Sequence, residues 1–214
     1  MLVISLTAIP PRFGQLPWVL AGLLAQGADA VALTIPRRYA RFDAAPLPLL
    51  PEGVTLVETE TDLGPAGKLT AAAGAFPGAD LLICDDDWRY GKGWAEALRA
   101  ARRPGLAVAG STWPTERIGR KGGTVAQGFA GLLVPGDIAH RIPPPPEPAW
   151  AVDDIWISGW IAGLGGRIVE APAARAACEP LASPGALQDR GDRAAANRDT
   201  AALIHAAFGI WPLG

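Results

Sequence analysis

The sequence predicts an α/β fold, a mostly parallel sheet flanked by helices. Apolar runs of four to six residues alternate with helix-length segments along the first half of the chain. The runs are bounded by Pro, Gly or Asp, and the best-patterned segment between them has a single apolar face. Leu2–Thr7 reads as the first strand. In Gln15–Gln26 the residues Leu16, Val19, Leu20, Leu23 and Leu24 recur at i, i+3, i+4, i+7 and i+8, one stripe of a helix that covers the sheet. Val31–Ile35 and Val54–Val57 follow as strands, Ala66–Ala75 as a helix opened by a Gly-Pro turn, Leu81–Cys84 as a strand, Gly93–Ala101 as a helix and Leu106–Ala109 as a strand. Units of this length join parallel neighbours by right-handed crossovers. Further on, Gly128–Val134 reads as a strand, Ile142–Pro148 as a proline-rich connector and Asp153–Leu164 as a helix. Gly159 and Gly163 cost that helix about 1 kcal/mol each relative to alanine. Arg167–Val169 is a short strand, Ser183–Asp192 a polar loop and Arg193–Phe208 the last helix. Trp18, Trp156 and Trp160 have helical core spacing and are expected to be buried.

A length of 214 residues fits one domain, and neither an internal repeat nor a shift in composition divides it. Half of the residues are hydrophobic and 19% are charged, enough apolar material for a core. Lys+Arg number 19 against Asp+Glu 21, a net charge of −2. That balance offers no basic footprint for a nucleic acid or an anionic membrane. Cys84 and Cys178 stand far apart without Cys-x-x-Cys spacing, so neither a disulfide framework nor a structural zinc site is expected. No basic segment precedes the first apolar run, and the longest apolar stretch, Pro17–Ile35, is broken by Gln26 and Asp29. Neither a signal peptide nor a transmembrane segment is expected, and the location read from this is cytoplasmic.

The sharpest chemical feature is Leu81-Leu82-Ile83-Cys84-Asp85-Asp86-Asp87, an apolar strand that runs into three carboxylates. Ligands of open α/β sheets bind beyond the carboxyl ends of strands, and three crowded anions repel unless neutralised. A hard divalent cation, Mn²⁺ or Mg²⁺, is the economical partner, because it takes one or two carboxylates and leaves room for water and phosphate oxygens. The bland alternative is a solvated acidic turn. Asp62-Leu63-Gly64-Pro65-Ala66-Gly67-Lys68 sets a lysine in the first turn of a helix, a place suited to anionic oxygens. Asp153 and Asp154 open another helix, where they act either as caps or as chemistry, and the helix dipole is expected to lower the pKa of Asp154. Trp88, Trp94 and Trp113 follow strand ends, and Trp88 and Trp113 are the candidates to stack on an acceptor. His140 and His205 have no partner motif, and Ser5 and Ser158 lack a nucleophile's companions.

Thr7-Ala-Ile-Pro-Pro-Arg-Phe13, Asp62-Leu-Gly-Pro-Ala-Gly-Lys68, Ile83-Cys-Asp-Asp-Asp87, Gly128-Phe-Ala-Gly-Leu-Leu-Val-Pro135 and Val152-Asp-Asp-Ile-Trp-Ile-Ser158 stand in this order. Together they resemble a group of bacterial glycosyltransferases of the GT-A fold, related to family 2. The resemblance implies a Rossmann-like, mostly parallel sheet in a single domain, 1–214. Its first half, about 1–110, would hold a nucleotide-diphospho-sugar, and its second, about 111–214, a glycan or other hydroxyl acceptor. It sets Thr7, Ile9 and Arg12 beside the nucleotide, Lys68 near its ribose or phosphates, and Asp85 and Asp87 around the metal as a DxD motif, with Asp86 also a donor-side candidate. Asp154, or its neighbour Asp153, corresponds to the catalytic carboxylate.

Glycosyl transfer needs these parts on chemical grounds. Negative charge grows on the departing diphosphate, which a divalent cation and a lysine stabilise, and an inverting enzyme needs one carboxylate base for the acceptor hydroxyl. Two other readings compete. A nucleotidyltransferase that makes sugar nucleotides would carry a glycine-rich phosphate loop where Ala8-Ile9-Pro10-Pro11-Arg12 has none. A catalytically silent sugar-nucleotide-binding module would have no need to keep carboxylates at both sites.

Overall fold

The computed structural model describes residues 1–43, 45–187 and 192–214. The chain runs β1 (Leu2–Thr7), α1 (Leu16–Leu24), β2 (Ala30–Pro36), β3 (Val54–Thr59), α2 (Gly67–Ala75), β4 (Asp80–Ile83), β5 (Trp88–Tyr90), α3 (Trp94–Ala101) and β6 (Leu106–Ala109). It continues through β7 (Thr112–Pro114), β8 (Thr124–Ala126), β9 (Leu132–Val134), α4 (Gly136–Ala139), α5 (Asp153–Gly163), β10 (Arg167–Glu170), α6 (Pro172–Ala176), β11 (Cys178–Pro180) and α7 (Arg193–Phe208). Seven strands form one sheet in the order β10-β6-β9-β4-β1-β2-β3. All neighbours are parallel except β9, which runs antiparallel to both β4 and β6.

Alternation along each strand feeds two cores. Val3 of β1 faces a layer with Leu69, Ile138, Ile157 and Ile204, from α2, α4, α5 and α7. Ile4 and Leu6 face the other layer, with Leu16, Leu20, Leu98 and Ala174, from α1, α3 and α6. Helices therefore cover both faces, which is why β1 and β2 read as mostly apolar runs, interrupted only by small hydroxyl residues.

The reversed strand positions the site. Ile83 at the end of β4 pairs with Leu132 at the start of β9. The residues leading into β9 therefore arrive at the sheet edge where β1 and β4 deliver their carboxyl ends. The strand expected over Gly128–Val134 divides here into a 3₁₀ turn, Gly128–Ala130, and β9 proper. Gly131 makes the break: its φ is +91°, and a Cβ there would lie 2.6 Å from the Trp94 ring.

Other expectations need correction. Trp18, expected in the core, is 81% exposed on the outer face of α1, while Trp156 is buried. Helical spacing sets which residues share a face, and Trp18 falls beside the stripe rather than on it. Gly159 and Gly163 are not merely a cost to α5. A Cβ at either would lie within 2.5 Å of Ile204 or Phe208, so α7 packs against α5 because these positions lack side chains. The polar loop read over Ser183–Asp192 lies partly outside the described residues. Among the described residues no helix is long and apolar enough to cross a membrane.

Candidate active site

The carboxyl ends of β1 and β4, the turn before β9 and the start of α5 enclose a cleft of about 490 Å³. Its lining includes Thr7, Ile9, Arg12, Lys68, Asp85, Asp86, Asp87, Trp88, Asp153 and Asp154, and so gathers all but one of the residues singled out from the sequence. The exception is Trp113. It sits in β7 opposite Val125 of β8 and is packed against the core, outside the lining of the cleft. Trp94 is fully buried and donates its indole N–H to the Ala130 carbonyl at 2.9 Å.

The acidic triplet divides by role. Asp86 is 3% exposed and points inward: Oδ1 accepts from Arg12 Nη1 at 2.6 Å and Oδ2 from the Ile9 amide at 3.3 Å. Burial pushes its pKa up to about 6, an effect that Arg12 only partly offsets. Asp86 therefore fixes the triplet to the loop after β1. Asp85 and Asp87 remain on the cleft side. Asp87 is held by Ser183 Oγ at 2.5 Å and by Arg12 Nη1 at 3.1 Å. Arg12 reaches onward, Nη2 to Ser183 Oγ at 2.7 Å and Nε to the Pro184 carbonyl at 3.2 Å. Its guanidinium is thus committed to protein groups, so it shapes the wall of the cleft and clasps the segment after β11 onto the triplet. Burial opposes the charge on Arg12, but Asp86 and Asp87 overcome it and raise its pKa.

Lys68 joins the two halves of the cleft. Its side chain is 3% exposed, and Nζ lies 2.5 Å from Asp85 Oδ1 and 2.9 Å from Asp153 Oδ2. Burial works against the ammonium, yet Asp153, Asp85 and Asp154 hold its pKa well above the ordinary lysine value. The 3₁₀ turn Gly64–Ala66 runs straight into α2 and delivers Lys68 in the first turn of the helix.

Asp153 and Asp154 open α5 but do not cap it. The residue before them, Val152, has no capping side chain, and Asp154 Oδ1 instead accepts the Gly128 amide from the turn before β9, at 2.9 Å. The expectation that the helix dipole lowers the pKa of Asp154 is reversed. Burial and the neighbouring Asp153 push it up to about 7, against the pull of Lys68. A Cβ at Gly128 would lie 3.0 Å from Lys68 Nζ and 3.1 Å from Asp154 Oδ1, so a side chain there would crowd both groups.

Sequence reasoning missed several lining residues. Tyr39 donates its hydroxyl to the Ala8 carbonyl at 2.9 Å, and Asp62 accepts the amides of Ala40 and Gly64 at 2.9 Å each. The Trp150 indole donates to the Asp62 carbonyl at 3.0 Å, and the guanidinium of Arg41 lies over the ring of Phe42, 4.7 Å away. Gln127, Phe129, Ser183 and Arg193 complete the wall. Asp62 and Phe129 stand in motifs visible in the sequence and Arg193 opens α7; the others come from loops whose approach to the cleft depends on tertiary structure.

Among the described residues no group of three or more His, Cys, Asp or Glu side chains forms a metal cage. One or two carboxylates suffice for Mg²⁺ or Mn²⁺ when phosphate and water oxygens complete the shell. Asp85 and Asp87, hard oxygen donors on one wall of the cleft, fit that requirement.

No protein-family model matches the sequence, and no curated protein matches it. The fold is one that a glycosyltransferase adopts. A mannosyltransferase from Pyrobaculum calidifontis, solved in complex with GDP-Man and Mn²⁺, superposes on 96% of this chain and 74% of its own, with a TM-score of 0.57 at 16% sequence identity.

Proposed function

We propose that this protein is a metal-dependent glycosyltransferase that moves a sugar from a nucleotide-diphospho-sugar to a hydroxyl acceptor, with inversion. The observation that carries this reading is the gathering of Asp85, Asp87, Lys68 and Asp154 into one cleft. The shared fold of a mannosyltransferase that binds a sugar nucleotide and Mn²⁺ supports it. Residues of about 1–110 supply most of the donor wall, and those of about 111–214 supply Asp154 and the acceptor side.

Charge balance favours the metal. Six carboxylates, Asp62, Asp85, Asp86, Asp87, Asp153 and Asp154, line the cleft against the four cations Arg12, Arg41, Lys68 and Arg193. A diphosphate entering that field needs added positive charge. Asp87 and Asp85 would hold a divalent cation, which would supply that charge and stabilise the negative charge developing on the leaving diphosphate. Lys68 places a second, buried positive charge beside the same oxygens. The acceptor oxygen attacks the anomeric carbon from the face opposite the diphosphate, the bond from that carbon to the phosphate oxygen breaks with its electron pair leaving on the diphosphate, and Asp154 takes the hydroxyl proton.

Binding of GDP or UDP is expected to require Mn²⁺ or Mg²⁺, and Asp87→Asn to weaken it about ten- to a hundredfold, the loss expected for one charged contact. Calorimetry with metal and with chelator measures both. Equal affinity under the two conditions refutes the metal assignment. Thermal-shift screening of sugar nucleotides with Mn²⁺, followed by turnover with the donors that stabilise the fold, tests the activity.

A further inference from the structure

We propose that the acceptor subsite takes a pyranose bearing a negative charge, a carboxylate or a phosphate, on a platform made by Trp88, Phe129 and Arg175; the proposal rests on the glycosyltransferase reading. The rings of Trp88 and Phe129 stack with centroids 4.3 Å apart and planes 23° from parallel, and both residues line the cleft. The guanidinium carbon of Arg175 lies 5.1 Å from the Trp88 centroid and 5.2 Å from that of Phe129. A point almost equidistant from two stacked rings stands at the rim of the stack. Above either outer face it would be farther from the second ring by about a stacking distance, roughly 4 Å. Arg175 therefore caps neither outer face, and the apolar face of a pyranose can lie on the platform while a charged substituent reaches over its edge.

The charge of Arg175 is available for that substituent. Its Nη1 donates to the Cys178 carbonyl at 3.2 Å, and among the described residues no carboxylate pairs with it; Glu179, the next residue along β11, is bound by Arg89. The planar guanidinium matches a carboxylate or phosphate through paired hydrogen bonds. The buried cations Arg12 and Lys68 are already bridged to the acidic triplet and to Asp153. Arg41 and Arg193 also line the cleft, whereas Arg175, outside that lining, is the cation beside the two stacked rings, where a charged substituent of a sugar lying on them meets it. Gly128 links platform to chemistry: it directly precedes Phe129, and its amide donates to Asp154.

Saturation-transfer NMR with methyl glucoside, methyl glucuronide, glucose 6-phosphate and inorganic phosphate tests this without donor present. The charged sugars are expected to bind about tenfold tighter than methyl glucoside, as one charge-assisted contact provides. Arg175→Gln should erase the difference and leave the glucoside unchanged, and Trp88→Leu should weaken all three sugars. A gain for the glucuronide alone identifies the carboxylate as the group recognised, and a gain for the sugar phosphate alone identifies the phosphate. Equal binding of charged and neutral sugars, a preference that survives Arg175→Gln, or inorganic phosphate binding as tightly as the sugar phosphate overturns the proposal. GDP or UDP binding with Mn²⁺ in the same samples reports the donor side separately, so failure here and failure of the transferase reading are distinguishable.

Discussion

Replacing Asp154 with Asn is expected to lower the transfer rate by about 10²- to 10⁴-fold, the range for loss of a general base, while the protein stays at least as stable. The two effects part because of where the carboxylate sits. Asn keeps an oxygen for the Gly128 amide and removes a partly buried charge beside Asp153. The folded-state pKa of about 7 lies above the unfolded value of about 3.9, so the native state holds the proton more tightly. The stabilisation is complete below the unfolded value and is lost as pH rises through about 7. The gain in melting temperature for the Asn variant should therefore grow as pH rises from about 4 and be complete above about 7. For the wild type, the rate should rise with pH through the same region as the base ionises, and this limb should vanish in the residual activity of the variant. Donor affinity, measured by calorimetry, should not change. If Asp153→Asn abolishes turnover and Asp154→Asn does not, the base is the neighbouring residue; if both variants turn over normally, the inverting mechanism is wrong.

Lys68→Met should be the most damaging single change in the cleft. It leaves Asp85 and Asp153 without the cation that joins them, with Asp154 close behind. Breaking a buried pair by removing one partner costs roughly 3–5 kcal/mol, to be read from denaturant unfolding. Asp85 is the more exposed partner, its side chain 31% accessible against 13% for Asp153, so most of the cost falls on the α5 side. Binding of a nucleoside diphosphate should weaken much more than binding of the nucleoside. Wild-type stability in the variant would mean that the two carboxylates are relieved by solvent or by proton uptake, and equal losses for the two ligands would make Lys68 structural.

The sequence made legible what depends on periodicity and local chemistry. Leu2–Thr7 and Arg193–Phe208 coincide with β1 and α7 as read, because a mostly apolar run and a long alanine-rich segment leave little choice of conformation. The three-residue strands β5, β7, β8 and β11 were not legible, since a pattern of period two cannot declare itself in three residues. The site behaved similarly. The acidic triplet was visible, but its division into an inward Asp86 and an outward Asp85 and Asp87 depends on Arg12 and Ile9, 74 and 77 residues away along the chain. The pKa of Asp154 was misjudged for a related reason: the helix start is visible in sequence, whereas the burial that outweighs it is not.

The clasp formed by Arg12 ties this site to the order in which the molecule is made. Its guanidinium meets Asp86 and then Ser183, 171 residues downstream. Contacts of such separation close late in folding, after the entropy of a very long loop has been overcome. During synthesis the first strands and helices can collapse while the donor wall still lacks the segment that holds Asp87. A nascent chain is therefore unable to complete the cleft until residue 183 has cleared the ribosome, and Asp87 spends that interval without the Ser183 hydroxyl that donates to it. Early stability must come from the apolar layers on either side of β1, with the charged cleft assembling last on a scaffold already formed.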